Sequence, residues 1–189
     1  MRERNNRVII VEGVQGSGKT TASEHLAQIG CVSFRGIPSG EELTANSEGE
    51  NWRQSMVIFE RAIEASEGLG SVMDRSIWSL VAYNIGRKPA HRSLIYNLGK
   101  KMFERRLDGK INCAVVFLEV NPEISFYRED GRGVHSHRLV EDVYKESQVY
   151  QWLMENLERD GFNVIHIKNN DIPREEFLDL VERVAVTTS

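Results

Sequence analysis

The stretch GVQGSGKTT at residues 13–21 decides the fold. A glycine, four residues and then Gly18-Lys19-Thr20 match the Walker A pattern of phosphate-binding loops. An apolar, β-branched run at residues 7–11 precedes the loop and predicts a buried strand, and good helix formers follow it at residues 20–29. Because the pattern lies between a strand and a helix, it predicts a loop that binds phosphate groups.

Each position in this loop has a chemical reason. Glycines permit positive φ and close approach, so successive backbone N–H groups can point at phosphate oxygens. Lys19 supplies a movable cation for the β- and γ-phosphates, and the hydroxyl of Thr20 is suited to ligate Mg²⁺. We therefore expect ATP as the phosphoryl donor, together with Mg²⁺. The predicted ATP-binding residues in the loop are Gly13, Val14, Gln15, Gly16, Ser17, Gly18, Lys19, Thr20 and Thr21.

The order of elements along the chain predicts an α/β protein. Short apolar runs that are typical of buried strands alternate with amphipathic stretches that are typical of helices. We expect a doubly wound, five-stranded parallel sheet with helices on both faces, in a single domain of residues 1–189. The predicted strands are residues 7–11, 31–34, 71–74, 113–120 and 163–167. The main predicted helices are residues 20–29, 52–66, 77–85, 93–107 and 173–184, with a further helical stretch around residues 139–157.

Charge and hydropathy limit the classes of function. The net charge is −4, which argues against a protein that coats nucleic acid over its whole surface. Residues 87–110 nevertheless contain eight basic and two acidic residues, and we interpret them as a solvated helix face more readily than as a nucleic-acid footprint. No apolar run approaches the roughly 18 residues of a membrane span, so we expect no membrane association and a cytoplasmic location.

A phosphate-binding loop occurs in kinases, GTPases and molecular motors, so other residues must separate them. The guanine-reading pattern N-K-x-D does not occur in the sequence, and the D-x-x-G at residues 130–133 follows a predicted helix instead of a strand. We expect no long second domain of the kind that a motor needs. Its small size and its late arginines favour phosphoryl transfer to a small acceptor.

Two segments make the comparison specific: EGVQGSGKTT at residues 12–21 and MDRSIWSLVAYN at residues 73–84. They resemble the thymidylate kinase family, and residues 115–130 and 137–141 resemble that family's strand-to-lid segment. In the second segment the matching residues are Asp74-Arg75, Ser79 and Ala82-Tyr83.

Three departures limit what the resemblance implies. The family usually carries an acidic residue where Gln15 stands, and its loop after the second strand appears here at residues 35–40 without the glutamate. The segment between Asp74 and the helix that lines the base pocket in that family is also shorter here. Deoxynucleoside kinases match about equally well, through residues 16–18 and Arg75-Ser76.

The resemblance therefore implies phosphoryl transfer to a nucleotide, with a (deoxy)nucleoside monophosphate as the first expectation. The alternatives are a deoxynucleoside kinase that acts on the 5′-hydroxyl, and a P-loop kinase or regulatory protein that acts on a nucleic-acid polymer. By resemblance to both families, the helices that follow Gly86 in this chain could form a homodimer interface.

Candidate residues for the acceptor side follow from strand ends and from the resemblance. Asp74 ends a predicted strand, where its carboxylate can hold Mg²⁺ or accept a proton, and the guanidinium of Arg75 suits a phosphoryl group. In these kinases the helix that contains Trp52 lines the base pocket. The predicted acceptor-binding residues are Glu12, Arg35, Trp52, Gln54, Phe59, Arg61, Arg75 and Tyr83.

A lid is predicted at about residues 127–138, because two glycines within three residues disfavour a stable helix there. We expect Arg128 and Arg132 to stabilise charge on the transferring phosphoryl group, and Arg138 to steady the closed lid over ATP. The full predicted catalytic set is Lys19, Asp74, Arg75, Arg128 and Arg132, with Thr20 and Asp74 as metal ligands.

Overall fold

The sheet of this protein contains five strands in the part of the chain that the computed structural model describes, which is residues 6–36, 47–66, 70–107, 111–130 and 139–187. All pairings are parallel, and the strand order is β2-β3-β1-β4-β5. The predicted α/β class and the five-stranded parallel sheet are confirmed. The strands are β1 (Asn6–Glu12), β2 (Val32–Arg35), β3 (Ser71–Asp74), β4 (Ile111–Glu119) and β5 (Asn163–Lys168).

Helices cover both faces of this sheet. Within the described residues they are α1 (Lys19–Gln28), α2 (Glu48–Glu64), α3 (Ile77–Arg87), α4 (Arg92–Glu104), α5 (Pro122–Asp130), α6 (Val140–Arg159) and α7 (Arg174–Thr187). A short 3₁₀ turn, Pro89–His91, joins α3 to α4. No helix in the described part of the chain is long and apolar enough to cross a membrane.

Alternate residues of β1 belong to two different hydrophobic cores. Val8 and Ile10 pack with side chains of α2, α3, α4 and α6, whereas Ile9 and Val11 pack with side chains of α1 and α7. All four are fully buried, as expected for a strand with helices on both faces. The sheet therefore holds the carboxyl ends of β1 and β3 side by side, with Val11 paired to Asp74.

Helix α2 begins four residues earlier than predicted. Ser47 caps it, because the Ser47 hydroxyl accepts a hydrogen bond from the backbone N–H of Glu50 at 3.2 Å. Glu48 and Glu50 also place negative charge in the first turn, where the helix dipole favours it. The helix therefore begins directly after its cap Ser47, and the residues before Ser47 lie outside the described part of the chain.

Helix α4 is confirmed, but it does not bury the face on which Leu94 and Leu98 lie at spacing four. Leu94 and Leu98 are 69% and 48% exposed, whereas Tyr96 and Phe103 are buried. Gly99 explains the choice, because a Cβ atom there would lie 2.4 Å from Cγ2 of Val81 in α3. The missing side chain lets the two helices approach closely, which turns the glycine face inward.

Candidate active site

The predicted phosphate-binding loop is present between β1 and α1. Gly16 and Gly18 have φ values of 77° and 98°, which residues other than glycine rarely adopt. A Cβ atom at Gly16 would lie 2.7 Å from the carbonyl oxygen of Ser125 in α5, and one at Gly18 would lie 2.7 Å from Nδ2 of Asn169. The loop is therefore packed tightly between the start of α1, helix α5 and the segment after β5.

Lys19 lies inside this loop and is only 5% exposed. Its ammonium group donates to the carbonyl oxygens of Gly13 and Val14, at 2.8 and 2.6 Å. Burial lowers the pKa of Lys19 to about 7, helped by the positive charge of Arg75 and opposed by nearby carboxylates. A phosphate oxygen would offer this cation a stronger, charged partner than the two carbonyls.

Thr20 and Asp74 meet at the mouth of the loop. The Thr20 hydroxyl donates to Oδ2 of Asp74 at 2.8 Å, although the two residues are 54 positions apart in the sequence. Oδ1 of Asp74 is buried and has no hydrogen-bond partner among the described residues. The structure thus brings the two predicted metal ligands together and leaves one carboxylate oxygen available.

The turn after β3 holds Arg75 in an unusual backbone conformation. Its φ is 73°, and it is the one non-glycine residue with positive φ in the described part of the chain. The Arg75 N–H donates to the carbonyl oxygen of Val11 at 3.1 Å, and the Gly36 N–H donates to the carbonyl oxygen of Asp74 at 2.8 Å. A Cβ atom at Gly36 would lie only 2.1 Å from the Arg75 carbonyl oxygen. Gly36 belongs to the loop that the motif comparison matched at residues 35–40, but that comparison did not reveal its close contact with the Arg75 turn.

Glu12 ends β1 and is fully buried. Its carboxylate accepts hydrogen bonds from Ser76 and Ser79, so contact with an acceptor would require these bonds to rearrange. Burial raises the pKa of Glu12, while the serine donors and the charges of Arg75 and Lys19 oppose the rise. The sequence pattern placed Glu12 near the cradle but did not reveal its serine partners.

Arg128 lies on α5, half-buried, and points to the segment after β5. Its guanidinium group donates to the carbonyl oxygens of Asn169 and Asn170, at 2.9 and 2.7 Å. Its predicted contact with a transferring phosphoryl group stays a prediction. Arg132 and Arg138, the other two arginines of the predicted lid, lie outside the described residues.

Two of the predicted acceptor residues lie in the core. Phe59 is fully buried and stacks on Phe103 with ring centroids 4.6 Å apart. Trp52 is 8% exposed and belongs to the same core cluster. Contact between either ring and a base would require this packing to open, so their acceptor role stays a prediction that the core packing constrains.

The other predicted acceptor residues are more accessible. Gln54 is half-buried, and its side-chain amide donates to Oε1 of Glu50 at 3.1 Å. Tyr83 is half-buried and accepts a hydrogen bond from Arg87. The side chains of Arg35 and Arg61 are exposed. Among these residues, Arg35 lies at the end of β2 beside Asp74, with which it is paired in the sheet.

The strand order and the cradle after β1 define a class, the fold of P-loop nucleoside and nucleotide kinases. No protein-family model and no curated protein matches the chain. Among solved structures, deoxyadenosine kinase from M. mycoides with bound dATP is 14% identical, with a TM-score of 0.69 over 94% of this chain and 98% of that chain. The same enzyme with bound dCTP gives 15% identity and a TM-score of 0.66, over 95% and 99% of the two chains.

A second solved protein has the same fold. The YorR protein from Bacillus subtilis, in complex with phosphorylated GDP, is 17% identical, with a TM-score of 0.65 over 95% of this chain and 96% of that chain. At these identities the similarity establishes the fold. The resemblance to nucleotide and deoxynucleoside kinases is therefore confirmed at the level of the fold.

Proposed function

We propose that the protein is an ATP-dependent kinase that phosphorylates a nucleoside or a nucleotide. The observation that carries the proposal is the meeting of Thr20 and Asp74, 2.8 Å apart, at the mouth of a loop that holds Lys19. A glycine-rich turn that bound nothing would not need a buried cation beside a buried carboxylate, because burying charge is costly. The fold similarity to nucleoside and nucleotide kinases supports the same class of reaction.

On the donor side, we infer that ATP replaces the internal partners of Lys19. The ammonium group would leave the carbonyl oxygens of Gly13 and Val14 for oxygens of the β- and γ-phosphates. Backbone N–H groups at the start of α1 would hold the same phosphates, helped by the helix dipole. These contacts orient the γ-phosphorus towards the turn after β3.

Thr20 and Asp74 would hold Mg²⁺. A hydroxyl oxygen and a carboxylate oxygen are ligands that Mg²⁺ prefers, and Oδ1 of Asp74 is buried without a hydrogen-bond partner in the described part of the chain. Bound Mg²⁺ would neutralise charge on the phosphates of ATP. The residues present therefore fit the metal that the loop motif implies.

Transfer would move the γ-phosphoryl group from ATP to an acceptor oxygen. The new P–O bond forms at the acceptor while the bond to the bridging oxygen of ATP breaks, and ADP leaves with that electron pair. The guanidinium of Arg75, positioned by its unusual backbone, would stabilise charge on the moving group. The position of Arg75 directly after Asp74 allows both residues to act on the same phosphoryl group.

The acceptor that these residues favour is a nucleoside monophosphate. An oxygen of a 5′-monophosphate is already ionised near neutral pH, whereas a 5′-hydroxyl has to lose a proton to a base. Glu12 is engaged by two serines, and Asp74 faces Thr20 and the expected metal. With both carboxylates committed, a monophosphate is the simpler acceptor, and thymidylate is the first to test because of the resemblance.

A deoxynucleoside 5′-hydroxyl is the second candidate acceptor, favoured by the fold similarity to deoxyadenosine kinase. A nucleic-acid polymer is less favoured by the described basic residues of positions 87–107. Lys88 pairs with Glu48, Lys100 with Asp160 and Arg106 with Glu60. Such pairs reduce the positive field that binding to a phosphate backbone would need.

A panel of acceptors tests the proposal. The protein is incubated with ATP and Mg²⁺ and with each of the common deoxynucleoside monophosphates, the matching deoxynucleosides and an oligonucleotide with a 5′-hydroxyl, and ADP release is measured. We expect release that depends on a monophosphate. Release only with deoxynucleosides would support the second candidate, and no acceptor-dependent release from any compound would overturn the proposed function.

A further inference from the structure

A chain of buried hydrogen bonds joins helix α6 to the end of β1. The hydroxyl of Tyr150 is 3.1 Å from Oγ of Ser79, and Oγ of Ser79 is 2.5 Å from Oε2 of Glu12. Tyr150 and Glu12 are 2% and 0% exposed, and Ser79 is 7% exposed. The three residues come from α6, α3 and β1, so these hydrogen bonds connect three separate elements.

The direction of these hydrogen bonds is determined by their chemistry. Ser79 has a single hydroxyl proton and donates it to Oε2 of Glu12, so its oxygen accepts the hydrogen bond from Tyr150. Burial raises the pKa of Tyr150 far above its usual range, so its phenol keeps its proton and remains a donor. Stacking of the Tyr150 ring on Phe117, with centroids 6.0 Å apart, holds this donor in place.

The other oxygen of Glu12 holds the turn that carries Arg75. Oε1 accepts from the backbone N–H of Ser76 at 2.8 Å and from the Ser76 hydroxyl at 2.7 Å. Residue 75 has a left-handed backbone, which is unfavourable for a residue other than glycine and persists only when its surroundings impose it. Glu12 is one of the groups that impose it, and its orientation depends on Ser79.

We propose that Ser79 and Tyr150 are positioning residues, which orient Glu12 so that it holds the Asp74–Ser76 turn in the geometry needed for phosphoryl transfer. The inference rests on the proposed function for its kinetic consequence. The hydrogen-bonded link itself does not depend on any activity. Helix α6 also presents Glu146, one turn before Tyr150, whose charge acts on Lys19. One helix thus supports both the donor and the acceptor side of the site.

Hydrogen exchange at the Ser76 amide tests the link without reference to activity. In Ser79→Ala, Glu12 loses a donor, and we expect the Ser76 N–H to exchange about tenfold faster than in the wild type. Tyr150→Phe removes the more distant bond, so we expect about a threefold increase. Tyr96→Phe is the matched control, because Tyr96 is also a buried tyrosine with one hydroxyl bond, to Asp160. We expect no change at Ser76 in the control.

Kinetics of the same variants tests the positioning role. We expect kcat to fall about tenfold in Ser79→Ala and about threefold in Tyr150→Phe, with the KM for ATP within about twofold of the wild type. Since the Ser79 hydrogen bond lowers the pKa of Glu12, its removal should also move the acid limb of the kcat–pH profile to higher pH. Circular dichroism over the same pH range should show that the variant stays folded, which separates this shift from acid unfolding.

The outcomes separate the inference from the proposed function. Unchanged exchange at Ser76 in Ser79→Ala would overturn the link, and so would equal effects in Tyr150→Phe and Tyr96→Phe. Faster exchange with unchanged kcat and an unchanged pH profile would overturn the positioning role. A wild-type protein without kinase activity would overturn the proposed function and the positioning role together, while the exchange series would still decide whether the link exists.

Discussion

The donor side of the site consists mainly of backbone groups, whereas the acceptor side consists mainly of side chains. On the donor side, backbone groups of the loop at residues 13–18 would surround the expected phosphates, and Gly16 and Gly18 are closely covered by α5 and Asn169. On the acceptor side, five of the eight predicted contacts are side chains of α2 and α3, and two of these, Trp52 and Phe59, also belong to the hydrophobic core. Changes on the donor side should therefore affect catalysis, whereas changes at the two acceptor residues of the core should first affect stability.

This difference indicates which part of the site can vary in specificity. A backbone cradle binds the part that all nucleoside triphosphates share, so its geometry constrains the chain strongly. Side chains that serve both the core and a ligand can change only when the packing around them changes too. The following variants test whether the two sides of the site separate in this way.

The largest effect is expected at Lys19. Lys19→Ala should fold, because the substitution removes a costly buried charge, yet it should lower kcat by about 10³-fold through loss of the cation at the phosphates. Steady-state kinetics and circular dichroism check the two parts. Lys101→Ala, at an exposed position on α4, is the control and should behave as the wild type. A folded Lys19→Ala protein with more than about a tenth of wild-type kcat would contradict the mechanism.

A smaller effect is expected where the two sides meet. Gly36→Ala would place a Cβ atom 2.1 Å from the Arg75 carbonyl oxygen, so the turn has to move and kcat should fall about 30-fold. Gly86→Ala is the matched control, because nothing lies within 4 Å of a Cβ atom there. In α3 this control should stabilise the protein by about 0.5–1 kcal/mol and leave kcat unchanged. Equal kinetics for the two variants would show that the turn does not position Arg75.

The pH dependence of ATP binding should change affinity by up to about tenfold per pH unit. The pKa of Lys19 is about 7 in the free protein, so above pH 7 the amine is mostly neutral. Bound phosphates favour its charged form, so ATP binding takes up a proton and weakens as pH rises from 7 towards 9. Calorimetric titration at pH 8 in two buffers of different ionisation enthalpy measures that uptake. Lys19→Arg stays charged and should show none, and a wild type without uptake would disprove the linkage.

The smallest effect on activity is expected on α2. Gln54→Ala should raise the KM for the acceptor about threefold, the effect of one hydrogen bond, and should leave stability almost unchanged. Phe59→Leu should instead lower the free energy of unfolding by about 1–2 kcal/mol, because it disturbs the stack with Phe103, with acceptor KM unchanged. Urea denaturation and acceptor titrations measure both quantities. The reverse pattern would place the base against Phe59 and would remove the distinction between the two sides.

Local patterns predicted the fold and the donor side because their causes are local. Residues 13–20 need glycines at fixed spacing to turn the backbone, and alternating strands and helices are visible as apolar runs. Helix ends were less predictable, since the Ser47 cap of α2 lies outside the apolar pattern that marks the helix. The cytoplasmic location, the possible homodimer and the roles of Arg132 and Arg138 remain predictions.

Short motifs within single segments were enough to predict the glycine-rich loop and the α/β class, and to mark Asp74-Arg75 as candidate site residues, because such motifs encode local backbone geometry. The partners of those residues became visible only in the folded chain. Three contacts join residues that are far apart in the sequence. They are the Thr20–Asp74 hydrogen bond, the close approach of Gly36 to the Arg75 carbonyl group, and the hydrogen bonds from Tyr150 through Ser79 to Glu12. The physical reason is that sheet order and helix packing set these distances, and no single segment contains that information.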